Sequence, residues 1–81
     1  MKATIEITGK KYEATGETVK ETLAKFDYRG FAKLKGILTV SNGKEEKTVV
    51  LYPIQTMRLL SNHPMVREIA IKQTALRFDN L

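Results

Sequence analysis

His63 is the only imidazole in the 81-residue chain, and the chain contains no cysteine. Those two counts remove much of the chemistry that side chains can perform. Without a thiol there is no disulfide, no thiolate metal site and no cysteine nucleophile. Zinc sites are usually built from several nitrogen or sulfur ligands, which one histidine cannot supply. His63 precedes Pro64, and this pair reads as a helix boundary rather than as an active site. Glu45 and Glu46 follow a turn signal and read as a solvated pair, not as a general acid with its base. Gly9-Lys10 and Gly43-Lys44 lack the G-x-x-x-x-G-K-[ST] spacing that cradles phosphate. The expectation is a protein that is not an enzyme and uses neither cofactor nor metal.

Binding chemistry is better represented. Fourteen Lys and Arg against nine Asp and Glu give a net charge of +5, which suits a polyanionic partner or simply keeps a small protein dispersed. The stretch KFDYRGFAKLK, residues 25–35, interleaves Lys25, Arg29, Lys33 and Lys35 with Phe26, Tyr28 and Phe31, against one acid, Asp27. Cations can hold phosphates while exposed aromatics stack on bases. The structural alternative is that Phe26 and Phe31 close the core and the cations line a solvated rim. Within this stretch, RGFA fits the opening of the RNP1 signature of RNA-recognition motifs. The later aromatics of that signature are replaced by Lys33 and Gly36. RNP1 also lies on the strand before the second helix, whereas this stretch follows the first. The chain is not assigned to that family.

The elements that must position these residues follow from periodicity. Residues 3–7 alternate apolar and polar as a half-buried strand does, and Gly9-Lys10 can supply a type II′ turn. That turn would set Ile7 opposite Tyr12 and Ile5 opposite Ala14. Thr18 with Glu21 forms a T-x-x-E capping box, and Val19, Leu23 and Phe26 recur on one face of a helix over 17–27. Strands are expected at 33–41 and 45–52, around Asn42-Gly43, the preferred pair for a type I′ turn with positive φ at both positions. A four-residue loop would shift the pairing by two and leave every side chain on its face. Pro53 opens a helix with a stripe of Ile54, Met57 and Leu60, and Pro64 opens another with Asn62 or His63 as cap. Residues 65–78 favour helix, with the stripes Val66-Ile69-Gln73-Leu76 and Ile71-Ala75-Phe78.

The expected order is ββαββαα, an α+β domain spanning 1–81 in which an antiparallel sheet of two hairpins is backed by helices. A strand at 66–78 would instead approach a ferredoxin-like arrangement. A chain of this size buries only about 60–65% of its unfolded surface, so oligomerisation would help it.

In the second hairpin, Leu34, Leu38 and Val40 share one face with Val49 and Leu51. The opposite face carries Lys33, Lys35, Ile37, Thr39, Glu46, Thr48, Val50 and Tyr52. Three roles are open to it. It is a self-association face centred on Ile37, Val50 and Tyr52, or a nucleic-acid surface, or a face covered by a helix. The leading expectation is a small interaction protein that binds itself or another protein. The second is a nucleic-acid-binding accessory protein using Lys25, Tyr28, Arg29, Lys33, Lys35 and Tyr52. In size and composition the chain also looks like the accessory proteins of phages and mobile elements, a likeness that rests on no motif. The polar N-terminus argues against a signal peptide, and runs such as VVLY are too short to span a membrane, so a cytoplasmic protein is expected.

Overall fold

The first hairpin closes one residue earlier than expected and the second through the four-residue loop, and in each case the side chains keep their faces. The computed structural model describes residues 1–28, 34–79 and 81. Strands β1 (Lys2–Ile7) and β2 (Lys10–Thr15) pair with Ile7 opposite Lys10 and Ile5 opposite Tyr12. The turn is therefore Thr8-Gly9, with φ of 51° and 82°, rather than Gly9-Lys10. Two positive φ values make it type I′, whose twist matches that of the strands. The cost falls on Thr8, a β-branched residue in the left-handed region.

Strands β3 (Gly36–Ser41) and β4 (Glu46–Leu51) are joined by four residues, and Ser41 pairs with Glu46. Asn42 is not at positive φ; only Gly43 is, at 92°. Asn42 acts through its side chain instead. Its Oδ1 accepts from the Lys44 N–H at 2.9 Å and from the Glu45 N–H at 2.8 Å, so the side chain stands in for a turn carbonyl. The strands are also shorter than 33–41 and 45–52. Tyr52 leaves the sheet to precede the helix that Pro53 starts, and Lys35 then has no partner to pair with.

The two hairpins join through β1 and β3, giving one antiparallel sheet of order β2-β1-β3-β4. Helix α1 (Val19–Ala24) starts later than expected because Thr18 is its cap, its side chain accepting from the Glu21 N–H at 3.1 Å. Leu23 and Phe26 are buried, so Phe26 belongs to the core; Phe31 lies outside the described residues. Helix α2 (Pro53–Leu59) begins at the expected proline, and the Gln55 Oε1 accepts from the Tyr52 N–H at 2.9 Å. Helix α3 (Pro64–Ala75) continues into a 3₁₀ turn at Leu76–Phe78, so residues 65–78 are helical and the ferredoxin-like alternative does not hold. His63 is its cap, with Nδ1 accepting from the Val66 N–H at 3.4 Å. Among the described residues, no helix is long and apolar enough to cross a membrane.

The stripe expected for α2 is corrected by a glycine. Its buried side is Thr56, Leu59 and Leu60, while Ile54 is exposed. Gly36 lies on the inner face of the sheet, and a Cβ there would stand 3.2 Å from the Thr56 Oγ1. The missing side chain is the seat of the helix, and seating Thr56 there turns Ile54 outward. The Thr56 hydroxyl is satisfied locally by the Tyr52 carbonyl at 3.3 Å. In α3 the Ile71-Ala75-Phe78 stripe faces the core, together with Ala70 and Thr74, whereas Ile69 and Leu76 of the other stripe are exposed. Arg67 ties α3 to the end of α1 by donating to the Phe26 carbonyl. Burial lowers its pKa and nearby Asp27 works in the opposite direction.

Thr8→Asn should relieve the strained turn, because Asn tolerates the left-handed region far better than Thr. A gain of about 1 kcal/mol, or roughly 4–8 °C in Tm, is expected. An unchanged or lower Tm would mean that the turn is not type I′. Gly36→Val should lower stability by about 1–3 kcal/mol through overpacking, against a β-propensity gain of at most ~1 kcal/mol. A double-mutant cycle with Thr56→Ala should show coupling of about 0.5 kcal/mol or more. Additive effects would mean that α2 does not rest on Gly36.

Candidate interaction surfaces

The registers stack the outward side chains of all four strands into rows. One row runs Lys11, Glu6, Ile37, Val50; the next runs Glu13, Thr4, Thr39, Thr48; the last runs Thr15, Lys2, Ser41, Glu46. The rows beneath them on the inner face, such as Tyr12, Ile5, Leu38 and Val49, meet the helices. Among the described residues, no helix covers the outer face: Ile37 is 42% exposed and Val50 is 37% exposed. Of the three roles open to this face, cover by a helix does not hold among the described residues. The residues that α1, α2 and α3 bury join the inner-face strand residues in one core, which leaves no helix for the other side.

Ile37 and Val50 are direct neighbours across β3 and β4. The row below is tied by the hydroxyls of Thr39 and Thr48, 2.9 Å apart. Beside these residues lies a shallow depression of about 200 Å³ lined by Thr4, Glu6, Lys11, Ile37, Thr39 and Glu46. Lys2 and Glu13 form an ion pair of 3.4 Å, with both groups exposed. Such a pair adds little stability, on the order of 0–1 kcal/mol. The face thus carries Lys2 and Lys11 against Glu6, Glu13 and Glu46. It is mixed in sign, not basic.

Tyr52 is 64% exposed at the end of β4, where it caps α2 instead of continuing the apolar row. Of the residues expected to bind nucleic acid, Lys25 caps the end of α1 on the helical side of the sheet, and Lys35 precedes β3. Tyr28 is exposed beyond α1. Arg29 and Lys33 lie outside the described residues. The described members of this set are thus spread over the helical layer and one end of the sheet. No group of three or more His, Asp or Glu among the described residues could hold a metal ion.

Local periodicity did not reveal the contribution of β1 to the outer face. Lys2, Thr4 and Glu6 read only as the polar side of an isolated strand, and their place beside β3 depends on a long-range pairing. A charge asymmetry was also passed over. Between residues 47 and 78 the only acid is Glu68, against Lys47, Arg58, Arg67, Lys72 and Arg77. No protein-family model matches the chain, and no curated protein or solved structure does either.

Proposed function

We propose that the protein is a non-enzymatic interaction module whose outer sheet face pairs with the same face of a second copy. The carrying observation is the uncovered pair Ile37 and Val50, at the β4 side of an otherwise polar outer face. Burying such a side chain from full exposure is worth about 1.5–3 kcal/mol, so with 42% of Ile37 and 37% of Val50 still exposed, roughly 0.6–1.2 kcal/mol each is left to gain. The charge pattern favours a copy over a polyanion. Lys2 and Lys11 alternate with Glu6, Glu13 and Glu46, so a two-fold arrangement can set cations of one copy against acids of the other. A nucleic acid would meet the three carboxylates.

Size limits the strength of the pairing. Four strands about 4.8 Å apart and six residues long at about 3.3 Å per residue span roughly 19 by 20 Å. That footprint is about half of the ~800 Å² per partner of a standard interface, so a weak dimer follows. Tyr52, at the rim, widens the contact.

Sedimentation velocity up to about 500 μM should show a reversible monomer–dimer equilibrium, as suits an interface at the low end of the size range. Val50→Lys should remain monomeric throughout while melting close to the wild type. A wild-type chain that stays monomeric at the highest concentration contradicts the proposal, and so does a Val50→Lys chain that dimerises equally well. Salt-sensitive binding of single-stranded oligonucleotide, with a log–log slope that flattens by about 0.7 on Lys35→Gln, would shift the activity to the basic and aromatic residues around Tyr28 and Lys35.

A further inference from the structure

The helical layer carries a second surface, whose chemistry differs from that of the sheet. Residues at i, i+3, i+4 and i+7 of α3 and its 3₁₀ extension, Ala70, Gln73, Thr74 and Arg77, face Gln55 and Arg58 of α2 across a cleft of about 60 Å³. Among the described residues, no carboxylate lines this cleft and neither arginine is in an ion pair. Glu68, the one acid of α3, pairs instead with Lys72 at 3.4 Å. The Tyr52 N–H donates to the Gln55 Oε1, which fixes the amide and leaves its NH₂ free to donate. Arg77 is held in place by donating from Nη1 to the Val50 carbonyl at 3.0 Å, which leaves the rest of its fork available. Two guanidiniums and two primary amides around one small space are a lining for an oxyanion.

Size and surroundings narrow the occupant. The cleft is small, about 60 Å³, and lined mainly by polar side chains, which suits a carboxylate group. Next to it, and sharing Arg58, Ala70 and Gln73, lies a groove of about 180 Å³ lined by Val66 and Ile69. Ile69 is 53% exposed, and Met65, one turn earlier on α3, is 67% exposed. A free oxyanion has no use for that groove. We propose that the α2–α3 surface binds an acidic, apolar peptide segment of a protein partner, with a carboxylate between Arg58 and Arg77 and the adjoining aliphatic side chain on Val66 and Ile69. The site is separate from the sheet face and does not depend on self-association.

The test is a titration of the ¹⁵N-labelled Val50→Lys chain, in which sheet pairing is disabled, and of dilute wild type. The probe is an acetylated, amidated hexapeptide alternating leucine and glutamate. Amide shifts should cluster at Arg58, Val66, Ile69, Gln73 and Arg77 in both proteins. The same peptide with glutamine for glutamate should bind at least about tenfold more weakly, since charge-assisted bonds are lost. Arg58→Gln and Ile69→Asp should each weaken the glutamate peptide by a similar factor with an unchanged melt. Four outcomes overturn the proposal. They are no shifts up to about 5 mM peptide, equal binding of the glutamine peptide, inorganic phosphate binding as well as the peptide, and oligothymidylate shifting the same residues more strongly.

Discussion

The antiparallel pairing of β1 with β3 holds two locally closed hairpins in one sheet, and the other features follow from it. It sets Ala3 beside Val40 and Ile5 beside Leu38, all of them fully buried. Because side chains alternate with period two, the same register necessarily places Thr4 beside Thr39 and Glu6 beside Ile37 on the other side. The hairpins alone are marginal in water, and three or more strands with an apolar face are needed before such a sheet is stable. The helices then add their apolar sides to a surface that this pairing has already assembled.

One-sided burial leads from the fold to the proposed function. α1, α2 and α3 together bury only the inner face, and Gly36 fixes where α2 can land. Among the described residues, no further element lies over Ile37 and Val50. The β4 edge of the sheet is protected more carefully than the outer face. Arg77 donates to the outward carbonyl of Val50, and Lys47, at an inner-face position of the same edge strand, is exposed. Charges at such positions discourage strand-to-strand addition. The proposed association therefore uses the face of the sheet and not its β4 edge.

Much of the fold was legible because local chemistry and global structure agree. Thr18 with Glu21, Pro53 and Pro64 mark their helix starts directly, and the alternating strands needed only parity to be placed on the correct face. The misreadings have two causes, one local and one long-range. Thr8-Gly9 was passed over because Thr is a poor turn residue, and the burial of Thr56 in place of Ile54 depends on a glycine twenty residues earlier in the chain. The candidate face was half legible. Ile37, Val50 and Tyr52 could be grouped from one hairpin, but the carboxylates of β1 and β2 that make the face mixed in sign come from pairings that local patterns do not encode. The arginines of the α2–α3 cleft sit on two helices, and neither helix announces the other.

The proposed function requires that copies meet through Ile37 and Val50. An isotope-filtered NOE experiment, on an equal mixture of ¹³C-labelled and unlabelled chains at high concentration, reads that contact directly. Intermolecular NOEs are expected from the Ile37 and Val50 methyls, reaching the Tyr52 ring, if the pairing is as proposed. Intermolecular NOEs confined to Met65, Ile69 or Leu76, or none in a sample that sediments as a dimer, would contradict it.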